Sequence, residues 1–189
     1  MPADPVLIGI DPSLRGTGIV GLHVGPMVRV LYAHTVREPT RQADLSLAVR
    51  LHKLHDSMVA SLRACYDQCV KRARIPDRII IEDPTDFSAG WGGSRMRRSS
   101  DIAKTGAAFA TAVMAARGNL GAWSIDGGPV AIPTHDWLPR DRNARGGTHF
   151  MKHDKAIAQL RTIYPALREL KDDEVMAAGV ALWWHRRGR

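Results

Sequence analysis

Long apolar runs are missing from this 189-residue sequence. No stretch reaches the ~18 apolar residues that cross a bilayer, so we expect no membrane-spanning segment and no membrane partner. The first residues, Met1 to Pro5, show no basic segment followed by an apolar core, and therefore no signal peptide is expected. These absences predict a cytoplasmic protein.

Cysteine is scarce, with only Cys65 and Cys69 in the chain. The two residues are four apart in a segment of helical periodicity, where they stack on consecutive turns and are poorly placed for a disulfide. We interpret them as small core residues of a protein in a reducing compartment.

Acidic residues are outnumbered, with 19 Asp and Glu against 27 Lys and Arg, and the formal net charge is +8. Such a surplus indicates a polyanionic partner, most often nucleic acid or an anionic membrane face. Hydrophobic residues at 44% and charged residues at 24% are ordinary for a globular protein and exclude a disordered or collagen-like chain. The length predicts a single domain over residues 1–189.

The first half of the chain predicts strands followed by a long helix. Three β-rich runs cover residues 6–10, 16–24 and 28–36, and Gly25-Pro26 predicts a hairpin turn between the last two. Apolar residues at spacings of three and four predict a helix over 42–74, which Pro76 ends. The β-branched run at 78–82 predicts a buried strand that ends in an acid.

The second half alternates loops and helices. We expect a loop over 83–100, an Ala-rich helix over 100–117, irregular structure over 118–129 and a short strand over 130–132. Thr134 is expected to cap a brief helix through Leu138, before a basic loop over 139–148 and helices over 152–164 and 172–185. The pattern indicates an α/β domain with a mixed sheet, because an antiparallel opening argues against a purely parallel one.

Three acidic features stand at the ends of predicted elements. Asp11 ends the first strand, Glu82 ends the fourth, and the run Asp172-Asp173-Glu174 opens the last helix. If the first and fourth strands are neighbours, Asp11 and Glu82 lie side by side and raise each other's pKa unless a cation lies between them. Oxygen ligands suit Mg²⁺ or Mn²⁺, and two such ions support phosphodiester hydrolysis.

Each acid also has an ordinary structural explanation. Asp11 would begin a turn before Pro12, Glu82 would be a charge at the sheet rim, and the run at 172–174 would complement a helix N-terminus. The joint occurrence of all three in a chain of charge +8 favours a metal site that acts on nucleic acid.

These residues resemble the RuvC-type Holliday-junction resolvases. Residues 8–18 (IGIDPSLRGTG) are similar to the first strand and turn of that family, and residues 79–82 (IIIE) to its second acidic strand. Lys104-Thr105-Gly106 and the Ala-rich helix resemble the helix that pairs the two subunits. Residues 173–182 resemble the closing acidic helix.

The resemblance implies an RNase H-like fold, with a mixed five-stranded sheet flanked by helices, in a bacterial or phage protein. It implies a homodimer that resolves four-way junctions or other branched DNA by paired phosphodiester hydrolysis, with Mg²⁺ or Mn²⁺ as cofactor, two ions per site. It also implies a basic residue near the scissile phosphate, which is Lys152, or Lys155 if the register differs by one turn.

The chain departs from the family pattern at the last helix. The family has two acidic or acid-plus-His ligands there, three or four residues apart, whereas counting on from Asp173 reaches Met176 or Ala177. Neither binds a hard metal. Asp173 is the expected ligand, Asp172 is the second choice, and either Asp172 or Glu174 compensates or one metal is bound weakly.

Basic residues in two predicted loops are candidates for binding DNA phosphates, which gives affinity without sequence information. Phe87 and Trp91 share the first loop and are expected either to stack on an unpaired base or to pack under the loop as a small core. Solvated loops are the alternative for the basic residues. The candidates are Arg95, Arg97 and Arg98 in the first loop, Arg140, Arg142 and Arg145 in the second, and Lys104 and Lys155 on the helices.

Two other functions stay open at the level of sequence. A non-catalytic relative that binds branched DNA is compatible with the missing fourth acid. An ATP-binding protein of the actin and sugar-kinase class also opens with Asp, a small-residue turn and Gly, and its phosphate loop would be residues 11–18. That class needs two such domains and a longer chain, and it leaves the charge of +8 unexplained.

Overall fold

A computed structural model describes residues 4–13, 16–37, 45–84, 99–123, 125, 128–138, 140–141, 149–150 and 153–187. Within these ranges the chain forms seven strands and five α-helices, with a short 3-10 helix at Pro165–Leu167. The strands are β1 Val6–Asp11, β2 Thr17–Val24, β3 Val28–Val36, β4 Arg78–Asp83, β5 Val130–Pro133, β6 Arg140–Asp141 and β7 His149–Phe150. The helices are α1 Leu47–Arg72, α2 Ser99–Trp123, α3 Thr134–Trp137, α4 His153–Ile163 and α5 Asp172–Arg187.

The first five strands form one mixed sheet in the order β3-β2-β1-β4-β5. Strands β1, β2 and β3 pair antiparallel, as the opening hairpins predict, while β4 pairs parallel with both β1 and β5. The expected mixed five-stranded sheet is confirmed. Because β1, β4 and β5 are parallel, their carboxyl ends meet at one edge, which we call the carboxylate edge.

Helices cover both faces of this sheet. Ile79 and Ile81 of β4 face α1 and α2, whereas Ile80 between them faces α5 and α3. All three are fully buried, which explains why this strand is a continuous run of isoleucine rather than an alternation of apolar and polar residues. Cys65 and Cys69 of α1 are buried and form no disulfide, as expected.

Helix α5 packs unusually close to the sheet at two glycines. A Cβ atom on Gly9 of β1 would lie 2.1 Å from the carbonyl oxygen of Ala177, and one on Gly18 of β2 would lie 2.0 Å from that of Asp173. Any larger residue would push the helix away, so these glycines set the height of α5 above the sheet.

Three sequence predictions differ from the observed elements. The Ala-rich helix does not end at Arg117 but continues through Gly118 to Trp123, since one glycine costs a helix only about 1 kcal/mol. A short strand, β6, lies at the start of the region predicted as a loop over 139–148. It pairs antiparallel with a second short strand, β7, which directly follows that region. Thr134 is the first residue of α3 and not its cap, because Pro133 takes the N-cap position without a side-chain hydrogen bond.

No helix in the described ranges is both long enough and apolar enough to span a membrane.

Candidate active site

Two acidic side chains stand next to each other at the carboxylate edge. Strands β1 and β4 are in parallel register with Ile10 opposite Ile81, so Asp11, the last residue of β1, lies beside Glu82, the next-to-last residue of β4. Neighbouring strands are about 4.8 Å apart, which brings the two carboxyl groups within reach of each other. The first and fourth strands are therefore neighbours, as the expected adjacency of Asp11 and Glu82 requires.

Burial and a second carboxylate raise the pKa of Asp11 well above its usual range. Loss of solvent is the largest cause, followed by the negative charge of Glu82, a hydrogen bond to Glu82 and the charge of Asp173. Burial and the neighbouring carboxylates thus disfavour the ionised form of Asp11, and positive charge beside it would favour that form.

Glu82 is buried, with only 3% of its surface exposed, and is held by one oxygen. The Thr134 hydroxyl donates a hydrogen bond of 2.6 Å to Oε1. Burial raises the pKa of Glu82, while the hydrogen bond from Thr134, the neighbouring Asp11 carboxyl group and the charge of His153 lower it. The other oxygen, Oε2, is buried and has no hydrogen-bond partner among the described residues.

Helix α5 brings Asp173 to the same edge. A Cβ on Gly16 would lie 2.6 Å from Oδ2 of Asp173, so this carboxylate sits directly over the turn that joins β1 to β2. Partial burial raises the pKa of Asp173; Arg37 lowers it, and the neighbouring acids Asp172 and Glu174 raise it.

Glu174 fixes the start of α5. Its Oε1 accepts a hydrogen bond of 3.0 Å from the Thr35 hydroxyl of β3, and its Oε2 accepts one of 3.0 Å from the backbone N–H of Lys171. The second bond satisfies a free backbone donor at the helix N-terminus, as in a capping box. Both oxygens of Glu174 are therefore engaged in anchoring the helix.

Asp172 points in a different direction from Asp173. Its Oδ1 lies 3.1 Å from Nη2 of Arg161 on α4, and its side chain is 68% exposed. The two adjacent acids thus differ in surroundings, with Asp173 over the β1–β2 turn and Asp172 in a surface ion pair.

Met176 and Ala177, where a further ligand would fall by counting on from Asp173, are buried in the core between α5 and the sheet. With Glu174 occupied and Asp172 paired to Arg161, none of these four positions of α5 adds an oxygen to the carboxylate edge.

The donors at this edge fit Mg²⁺ or Mn²⁺. Asp11, Glu82 and Asp173 offer only oxygen, and Oε2 of Glu82 is a buried acceptor that lacks a donor within the described ranges. In the described part of the chain no three His, Cys, Asp or Glu side chains are clustered tightly enough to hold an ion by themselves. Mg²⁺ is usually bound through one or two carboxylates with water and substrate phosphates, so the Asp11–Glu82 pair satisfies its needs.

Sequence reasoning missed four residues that act on these acids. From α3, Thr134 donates a hydrogen bond to Glu82, and Trp137 lowers the pKa of Glu82. His153 lowers the pKa of both Glu82 and Asp173, and Arg37 lowers that of Asp173. One signal was available in the sequence, since His153 directly follows Lys152, a candidate site residue.

Most of the predicted DNA contacts fall on parts of the chain about which the structure gives no side-chain position. Lys155 is exposed on the first turn of α4. Lys104 lies in α2 and Arg140 in β6, but their side chains are outside the described set. The candidates outside the described residues altogether are Lys152, Phe87, Trp91, Arg95, Arg97, Arg98, Arg142 and Arg145.

The fold is similar to solved structures of RuvC. RuvC of Thermus thermophilus in complex with a Holliday junction substrate matches with a TM-score of 0.59 and 19% sequence identity, over 97% of this chain and 96% of that one. A second Thermus thermophilus RuvC structure matches with a TM-score of 0.56 and 18% identity, over the same shares. No protein-family profile and no curated protein matches the sequence. The mixed five-stranded sheet flanked by helices is the RNase H-like fold of RuvC, and the resemblance expected from the sequence is confirmed at the level of fold.

Proposed function

We propose that the chain is a metal-dependent, structure-selective endodeoxyribonuclease that resolves four-way DNA junctions by paired phosphodiester hydrolysis. The observation that carries the proposal is the meeting of Asp11, Glu82 and Asp173 at one edge of a sheet with the RuvC fold. A RuvC of this fold is in complex with a Holliday junction substrate, and the +8 charge supports a DNA partner here.

Asp11 and Glu82 would hold Mg²⁺ or Mn²⁺ from the sheet and Asp173 from α5, with two ions as the expected number. When bound, the metal supplies an activated water and stabilises the leaving oxygen of the phosphodiester. The chain itself supplies a pair of carboxyl groups whose burial, and after it their mutual repulsion, disfavours full ionisation. A bound cation would favour the ionised form of Asp11, which would couple its ionisation to metal binding.

Lys152 is proposed to stabilise negative charge that develops at the scissile phosphate, or to protonate the leaving oxygen. It immediately precedes His153, whose charge reaches both Glu82 and Asp173, and this supports a place for Lys152 near the site. Lys155 is the alternative one turn later.

A four-way junction needs two symmetric cuts, so we propose a cytoplasmic homodimer with two sites related by a two-fold axis. Gly106 and Ala110 are small residues four apart on one face of α2, and Met114, which is 65% exposed, follows them on the same face. This face supports pairing through α2.

The test is cleavage of an immobile four-way junction, beside a linear duplex of the same sequence, in Mg²⁺ or Mn²⁺. We expect the wild-type protein to cut the junction selectively. Glu82→Gln should abolish cutting while junction binding stays intact or tightens, because negative charge facing phosphate is removed. Asp56→Asn is the matched control, since this exposed acid on α1 pairs with His52 and His55 of its own helix. Equal cutting by Glu82→Gln would contradict the proposal.

A non-catalytic protein that binds branched DNA is the second candidate. Its support is the lack, in the described ranges, of a cluster of three side chains that holds an ion unaided. Tight, selective junction binding without cleavage in either metal would establish this candidate in place of the nuclease.

A further inference from the structure

The hydroxyl of Thr134 is used for a carboxylate and not for its own helix. Strand β5 runs parallel to β4 with Ile132 opposite Glu82, so the residue that follows β5 emerges beside the carboxylate edge. There the Thr134 hydroxyl donates to Oε1 of Glu82 at 2.6 Å, and the backbone oxygen of Asp83 lies farther away at 3.3 Å. A hydroxyl has one proton to donate, and the shorter contact to the carboxylate is the stronger bond.

Local structure gives no reason for a threonine at this position. The N-cap of α3 is Pro133, which makes no side-chain cap, and α3 is only four residues long. The bond joins residues 52 apart in the sequence, from one strand end to the next. The hydroxyl therefore acts on Glu82.

Trp137, the last residue of α3, packs against α5. Its side chain is 6% exposed, and its ring is wedged against Gly179 of α5, where a Cβ would lie 2.7 Å from Cζ3. The indole N–H is buried without a hydrogen-bond partner in the described part of the chain, and it lies close enough to lower the pKa of Glu82. Glu82 is thus confined by Thr134 and Trp137 together.

These contacts leave Glu82 with one oxygen bound and one free. Oε1 is occupied by Thr134, while Oε2 is buried and lacks a partner among the described residues. We propose that Thr134 is a positioning residue, which fixes Glu82 by Oε1 so that Oε2 is presented to a divalent cation beside Asp11. This inference rests on the proposed nuclease function. A carboxylate held in one orientation binds a cation without first losing rotational freedom, so the hydroxyl strengthens metal binding.

The test compares Thr134→Val, which keeps the shape but removes the donor, with Thr134→Ser, which keeps the donor. The matched control is Thr111→Val, because the Thr111 hydroxyl is also largely buried but donates to a backbone oxygen of its own helix, that of Ala107. Binding of Mn²⁺ to the protein without DNA is followed by electron paramagnetic resonance. The Mn²⁺ concentration that gives half-maximal junction cleavage is measured in parallel.

We expect Thr134→Val to weaken Mn²⁺ binding about 10- to 100-fold and to raise the half-maximal concentration in proportion. Thr134→Ser should restore both values, and Thr111→Val should change neither. If Thr134→Val does not fold, Thr134→Ala removes the donor without placing a methyl group against the carboxylate, and the same weakening is expected. Wild-type Mn²⁺ affinity in the folded Val or Ala variant, or failure of the Ser variant to restore it, overturns the positioning role.

The two proposals fail in different ways. If the wild-type protein neither binds Mn²⁺ nor cuts the junction, the nuclease function is wrong and the positioning role falls with it. If the wild-type protein binds and cuts but the variants without the hydroxyl match it, only the role of Thr134 is wrong.

Discussion

Gly18→Ala is expected to damage the candidate site through the backbone. Gly18 lies opposite Asp11 in the β1–β2 ladder and directly under the first turn of α5. A Cβ there would meet the carbonyl oxygen of Asp173 at 2.0 Å, its carbonyl carbon at 2.4 Å and the backbone nitrogen of Glu174 at 3.0 Å. These are backbone atoms, so no side-chain rotation relieves the overlap.

The size of the effect follows from these distances. Cβ contacts are essentially never shorter than 3.0 Å, so the start of α5 must move by about 1 Å. Glu174 resists this movement through its bond to Thr35 of β3, and overpacking of this kind costs about 1–3 kcal/mol of stability. Asp173 moves with the helix, and a misplacement of about 1 Å lowers an enzymatic rate by about 10²-fold.

The assay is single-turnover cleavage of the four-way junction, together with the thermal midpoint of unfolding. Gly118→Ala is the matched control, because a Cβ at Gly118 meets no atom within 4 Å. In the control we expect an unchanged rate and a small gain in stability of about 0.5–1 kcal/mol, since alanine favours a helix over glycine. A folded Gly18→Ala protein that cleaves at the wild-type rate would refute the reasoning that places Asp173 in the site.

Three further predictions concern the acids and the assembly. Asp11→Asn should stabilise the metal-free protein. Because the pKa of Asp11 is raised in the folded protein, wild-type stability falls as the pH rises above the pKa of the unfolded chain, near 3.8. Asparagine does not ionise and therefore removes that loss. The gain in melting temperature, about 2–4 °C per kcal/mol for a chain of this length, should be larger at pH 8 than at pH 5, and an equal gain at both would contradict the cause given. Asp173→Asn should reduce junction cleavage far more than Asp172→Asn, because Asp172 is held in a surface pair with Arg161; equal loss in the two variants would contradict this division. Light scattering should give a dimer at tens of micromolar that Ala110→Glu dissociates, and a monomer with and without DNA would exclude pairing through α2.

The sheet could be predicted largely from short-range patterns. Alternating and β-branched runs mark β1 to β4, and the isoleucines of β4 signal burial on both faces. The predicted end of the Ala-rich helix at Arg117 was wrong, because the local cost of Gly118 is smaller than the packing energy of a long helix.

The adjacency of Asp11 and Glu82 could be predicted only on the condition that the first and fourth strands are neighbours. Sequence patterns place each acid at a strand end, but strand order depends on tertiary packing, and the structure supplies it. The choice of Asp173 over Asp172 came from resemblance. Their different surroundings come from the turn of α5 over Gly16 and Gly18, which no local signal reveals.

Thr134 shows where local reasoning fails. A threonine before a short helix is typical of an N-cap, and that interpretation was wrong. The actual partner of its hydroxyl, Glu82, lies 52 residues away and becomes visible only when β5 is placed beside β4.

Paired cleavage of a four-way junction tests the central claim most directly. An immobile junction is incubated with wild-type protein and with Asp11→Asn in Mg²⁺, and both binding and the positions of cutting are measured. The account predicts symmetric cuts in two strands by the wild-type protein, none in EDTA, and none by Asp11→Asn despite undiminished binding. Cleavage by Asp11→Asn at the wild-type rate would contradict it.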